Sequence, residues 1–153
     1  MFPSIEVNVK YLHSVYTENN LQYATEQSVG LDLRACLQEE STSISPGDRL
    51  AIPAGIAVQI KTPGIAGFIF SRSGLGTKKG LVVSQGVGVI DPDYRGEVIV
   101  SLLNTSKEVR NLSQGQRIAQ LIFLPAYQAN LNPVEDLDDT SRGEGGFGHT
   151  GEE

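Results

Sequence analysis

The chain has 153 residues, a length that suits one domain with a real core. Twelve basic and 18 acidic residues give a net charge of −6, and Cys36 is the only cysteine, which excludes an intrachain disulfide, a cysteine metal cluster and extended binding to nucleic-acid backbone. No apolar run approaches the roughly 20 residues that span a membrane, and MFPSIEVNVK lacks the layout of a secretory signal, so the expectation is a soluble, cytoplasmic protein.

In chain order, Ile5, Val7 and Val9 alternate with polar residues, as one face of a half-buried strand does. Residues 14–29 carry no helical period and read as a loop. In VGLDLRACL (29–37), Leu31, Leu33 and Ala35 point one way while Asp32 and Arg34 point the other. Read alone, Asp32 is an exposed strand carboxylate, and Cys36 is a buried structural thiol. SPGD (45–48), PAG (53–55) and PG (63–64) are turn signals around the short strands RLAI, IAVQI and AGFIFS. Short strands every 8–12 residues with Gly/Pro turns indicate an all-β sandwich or barrel.

One segment departs from this pattern. RSGLGTKKG (72–80) follows a strand ending at Phe70; with Ser73 as N-cap, residues 74–79 form a short helical turn. Its free N–H groups and the charge of Arg72 suit an anion, although the P-loop spacing is absent. A capped surface turn accounts for the same residues.

Next, the apolar residues 81–83 and 98–100 flank GVGVIDPDYRG (86–96), which reads as a β-hairpin. Gly86 and Gly88 leave backbone unshielded for a flat ligand, beside the carboxylate of Asp91 and the ring of Tyr94. Asp, Pro and Gly are also ordinary turn residues. A calcium loop is rejected, because Arg95 and Leu102 occupy ligand positions. GQRIAQLIFLP (115–125) reads as a core strand with Gln116, Arg117 and Gln120 around it, Arg117 pairing with a structural carboxylate.

Beyond Pro133 the composition changes. Residues 135–153 hold seven acids and one arginine, so the whole surplus of −6 belongs to this tail and residues 1–134 are neutral. Such a glycine-rich, acidic segment cannot bury enough surface to fold alone and is expected to be mobile. Its G-x-G-x-x-G at Gly143, Gly145 and Gly148 lacks the strand and helix of a dinucleotide fold. It does carry Arg142, Phe147 and Thr150 on backbone able to wrap a phosphate chain and lay a ring on a base.

VGLDLRA (29–35), RSGLG (72–76), GVIDPDYRG (88–96), GQRIAQ (115–120) and RGEGGFGHTG (142–151) occur in the order of the five motifs of homotrimeric dUTP pyrophosphatases. The chain closely resembles that family over almost its whole length. The resemblance implies a distorted jelly-roll β-barrel of β-clip type over residues 1–134, with a short helix. It also implies a flexible C-terminal arm, 135–153, that closes a neighbouring active site. The implied reaction is Mg²⁺-assisted hydrolysis of dUTP to dUMP and pyrophosphate, which limits uracil in DNA and supplies dUMP, in three sites each built from all three chains.

Residue by residue, the resemblance makes Asp91 the group that activates water and Tyr94 the ring under the deoxyribose. Gly86, Gly88 and Ile90 fall near the uracil edge, and Asp32 holds magnesium through water. Arg72, Ser73, Gly74 and Gln120 match a phosphate cradle. Phe147 stacks on uracil, while Arg142 and Thr150 reach the terminal phosphate. Gln85 is given no role. A dCTP deaminase, which resembles this fold, would carry Arg-Ser-Ser and a catalytic glutamate, and RSGLG with a complete tail argues against it. A non-catalytic binding trimer would not require Asp32, Asp91, Tyr94, Arg142 and Phe147 together.

Overall fold

The computed structural model describes residues 4–17 and 21–146. Eleven strands and one short helix follow in order: β1 (Val7–Tyr11), β2 (Leu31–Arg34), β3 (Ser41–Ile44), β4 (Arg49–Pro53), β5 (Ile56–Ile60), β6 (Ile65–Ser71), α1 (Ser73–Lys79), β7 (Leu81–Val83), β8 (Gly88–Ile90), β9 (Ile99–Asn104), β10 (Arg110–Ser113) and β11 (Arg117–Pro125). The strands form antiparallel sheets in the orders β2-β11-β6-β8, β4-β9-β7, β1-β5 and β10-β3. The architecture is all-β and jelly-roll-like.

Alternation in the sequence becomes alternation in burial. In β2, Leu31 and Leu33 face inward while Asp32 and Arg34 are half-buried on the other face, and β5 buries Ile56, Val58 and Ile60. Each strand except β1 contributes buried residues to one apolar cluster, against which Val7 and Val9 of β1 also pack. Leu33, Ile52, Ile56, Leu102, Leu112, Ile118 and Leu121 are at most 1% exposed, and full burial of each such side chain stabilises the fold by roughly 1.5–3 kcal/mol. The one buried polar side chain among the described residues, Asn104, donates to the Ile44 and Glu108 carbonyls and accepts from the Ser106 N–H and hydroxyl. It closes the turn between β9 and β10 without an unpaired group.

Three local readings are corrected by the structure. Residues 14–29 are not plain loop: Ser14–Tyr16 is a 3₁₀ turn capped by His13 Nδ1, and Tyr16 is 2% exposed. The strands β3 and β10, absent from the sequence reading, pair with each other. The glycine-rich stretch after β7 is more than a turn. β7 does pair with β9, but through Leu81↔Asn104 and Val83↔Leu102, while Ile99 and Val100 pair with β4. Between them the chain leaves for the other sheet, where β8 adds to the edge of β6.

That edge is a packing fit. Gly67 lies opposite Ile90 and Gly88 opposite Ile69, and a Cβ on either glycine would sit 3.2 Å from the facing isoleucine. The helix α1 is stopped by Gly80, whose φ of 67° only glycine adopts readily and whose N–H bonds the Gly76 and Leu75 carbonyls.

Candidate active site

Asp32, Gln120 and Phe70 are register neighbours across β2, β11 and β6, so they share the outer face of the sheet. Two residues past Phe70 the chain turns into α1, and this brings Arg72 back over Asp32. Its Nε–H donates to Asp32 Oδ1 at 2.8 Å, and Arg117 Nη1 donates to Oδ2 at 3.0 Å. The Asp32 side chain is only 14% exposed. It is not the free strand carboxylate that alternation alone suggests. The structural carboxylate expected to pair with Arg117 is thus a candidate site residue itself.

Ser73 is not the N-cap of α1. Arg72 holds that position in extended geometry with no side-chain cap bond, and Ser73 is the first helical residue, exposed. A Cβ on Gly74 would meet nothing within 4 Å, so the approach to Arg72 is open on that side. Beneath this corner, the buried Tyr16 hydroxyl accepts the Arg34 N–H and donates to the Ala54 carbonyl at 2.9 Å, pinning the backbone two residues after Asp32. Burial pushes the Tyr16 hydroxyl up to about 12, and burial raises the Cys36 thiol to about 11.

A second group gathers on β8 and the turns on either side of it. Gly86 has a φ of 80° and open space where a Cβ would be. Gly88 is buried against Ile69, so its missing side chain serves strand packing on that face of the sheet. Ile90 is 8% exposed, whereas Asp91 and Tyr94 are exposed. The Tyr94 N–H bonds the Asp91 carbonyl, and the Tyr94 hydroxyl donates to the Glu97 carbonyl at 3.0 Å. β8 is the edge of its sheet, so its outer backbone groups have no ladder partner among the described residues.

The structure therefore joins Asp32, Arg72 and Gln120 in one corner and Gly88, Ile90, Asp91 and Tyr94 in another. β2 and β8 are opposite edges of the four-stranded sheet, three strand spacings or ~14 Å apart. Arg142 belongs to neither corner: its Nε–H bonds the Gly145 carbonyl in a local turn. Phe147 and Thr150 lie outside the described residues. Among the described residues no group of three or more His, Cys, Asp or Glu could hold a metal ion, and no helix is long and apolar enough to cross a membrane.

A family model described as dUTPase matches residues 18–151. The chain belongs to the dUTPase family. It is 49% identical over 129 residues to the deoxyuridine 5'-triphosphate nucleotidohydrolases of Escherichia coli O9:H4 (strain HS) and Shigella boydii serotype 18, covering 84% of this chain and 85% of each relative. Among solved structures it is similar to the dUTPase of Staphylococcus bacteriophage 80alpha with dUPNHPP, at 26% identity and a TM-score of 0.81 over 95% of this chain and 98% of that one. A mutant dUTPase from phage phi11 of S. aureus, described with a coordinated structural Mg(II) ion, shares the fold at 21% identity and a TM-score of 0.75, over 88% of this chain and 99% of that one. For this dUTPase family member, the all-β, jelly-roll-like fold agrees with that of its structural neighbours.

Proposed function

We propose that this chain hydrolyses dUTP to dUMP and pyrophosphate. The observation that carries the reading is the corner at Asp32: two guanidiniums around one carboxylate leave a net positive charge beside the open Gly74. A polyphosphate fits there, with Ser73, Gly74 and Gln120 as further contacts. Fixed positive charge aimed at phosphate oxygens stabilises the charge that develops as the anhydride breaks.

The rest of the reaction falls to the second corner. Asp91, exposed at the end of β8, accepts the proton of the water that attacks the α-phosphorus. The unpaired outer edge of β8, near Gly86, Gly88 and Ile90, offers backbone donors and acceptors to O2, N3–H and O4 of uracil. A cytosine amino group facing a backbone donor would cost on the order of 1–3 kcal/mol. Tyr94 lies under the deoxyribose and leaves no space for a 2′-hydroxyl.

Each Asp32 oxygen already accepts one charged donor but retains further acceptor capacity. The residues do not make a cage for a bare dication. They do fit Mg²⁺ that arrives on the triphosphate, with Asp32 accepting from its coordinated water, and the ion would supply neutralising charge to the phosphate oxygens.

The ~14 Å between sheet edges supports sites completed between subunits of a homotrimer, one chain lending the Asp32 corner and another the Asp91 corner. The arm of 135–153 closes over them, bringing Arg142, Phe147 and Thr150 to phosphate and base and excluding water.

The test is pyrophosphate release with Mg²⁺ from dUTP beside dCTP, dTTP and UTP. Release from dUTP alone supports the reaction and both discriminations. Release from all four would mean that the site reads phosphates and not uracil, and no release would reduce the chain to a binding protein.

A further inference from the structure

Arg117 occupies its place by an irregularity in the sheet. β11 runs against β2 in step through Leu121↔Leu31, Gln120↔Asp32 and Ala119↔Leu33, and then Arg117 pairs with Arg34. Ile118 is the extra residue of a β-bulge. Ile118 and Ala119 are consecutive yet both buried, at 1% and 0% exposure, which an unbroken strand does not permit. In an unbroken strand Arg117, three residues before Gln120, would point to the opposite face from Gln120 and Asp32. The bulge reverses that phase and turns Arg117 outward, where it reaches Asp32 Oδ2. Bulges recur beside active sites because they re-aim a side chain.

The resulting geometry has a direction. Arg72 is held through Nε, the stem side of its guanidinium, so both Nη groups stay free of hydrogen bonds among the described residues. With Oδ2 anchored by Arg117, the carboxylate cannot swivel, and Oδ1 stays where it fixes the plane of Arg72. The Arg117 side chain is 47% exposed, so the pair adds little stability; orientation is the function left to it.

We propose that Arg117 is a positioning residue: acting through Asp32, and placed by the bulge at Ile118, it aims the free edge of Arg72 at the phosphates. This rests on the proposed dUTP hydrolysis, with Arg72 as a phosphate ligand.

The experiment compares wild type, Arg117→Ala, Arg117→Lys, Asp32→Asn and the Asp32→Asn/Arg117→Ala double variant. Arg117→Ala is expected to lower kcat/KM for dUTP by about tenfold or more, with an unchanged melting temperature and assembly. Arg117→Lys recovers part of the loss, since an ammonium reaches one oxygen without the planar fork. In the Asp32→Asn background, Arg117→Ala adds less than about twofold, because both changes release the same arginine. Full activity in Arg117→Ala, or losses that multiply in the double variant, would overturn the proposal. Should Arg117→Ala fail to fold, Arg117→Lys and Arg117→Gln carry the same comparison. Calorimetric binding of inorganic tripolyphosphate provides a readout independent of turnover. If wild type does not hydrolyse dUTP but binds tripolyphosphate more tightly than Arg117→Ala, the reaction is wrong and the positioning stands. If wild type does not bind it, the positioning falls as well.

Discussion

Tyr94 lies back against Gly96: a Cβ there would come within 2.6 Å of the ring's Cζ, while the hydroxyl holds the Glu97 carbonyl at 3.0 Å. The ring is thus positioned by its own turn. Gly96→Ala is expected to push Tyr94 out of place without disturbing the sheets. The preference for dUTP over UTP should then narrow by about tenfold, or ~1.4 kcal/mol. Steady-state kcat/KM for the two nucleotides checks this, and an unchanged ratio would remove Tyr94 from sugar discrimination.

Asp91 stands exposed where β8 ends and contributes no side chain to the core. Asp91→Asn keeps the shape and removes the base, so kcat should fall by about 10²-fold or more with folding intact. A variant that still turns over at the wild-type rate would assign the proton to another group.

Among the described residues, 127–146 make no hydrogen bond to any sheet, and the hydrogen bonds of this segment lie within 140–145. Deleting 140–153 is therefore expected to leave the melting temperature and assembly unchanged while abolishing dUTP turnover. Retained turnover would mean that the arm is not a lid.

Alkaline pH should destabilise the fold. Burial raises Cys36 from an ordinary value of 9.0 to about 11 and Tyr16 from 10.0 to about 12. Both groups are neutral when protonated, so between these values the native chain retains protons that the unfolded chain has lost. Stability is full below about pH 9 and falls as pH rises toward 12, by roughly 3 kcal/mol per group at the limit. Urea midpoints at pH 8 and 10.5 test the direction, and Cys36→Ala should shrink the difference.

Much of the fold was legible because burial and sequence period coincide. Leu31 and Leu33, or Ile56, Val58 and Ile60, announce their strands by alternation. β3 and β10 did not, because STSI and RNLS each bury one residue, Ile44 or Leu112, and their pairing to each other is a tertiary fact. β8 was hidden for a different reason: Gly88 and Ile90 look like turn chemistry until Ile69 and Gly67 are known to lie opposite. At the site, residue types pointed to Asp32 and Arg72 separately. That one grips the other depends on the return of the chain into α1, and the hold of Arg117 depends on a register slip that no spacing rule exposes.

The placement of β2 and β8 at opposite edges of one sheet has a genetic reading. If each chain lends its two halves to different sites, two defective alleles can cover for one another. Trimers mixed from Asp32→Asn and Asp91→Asn chains would include sites where an intact corner from one parent meets an intact corner from the other. Two dead preparations, unfolded and refolded together, would then recover part of the activity, whereas persistent silence would place both corners of every site on a single chain. On that arrangement, whether two lesions complement one another would depend on whether they strike opposite edges of the sheet or the same one.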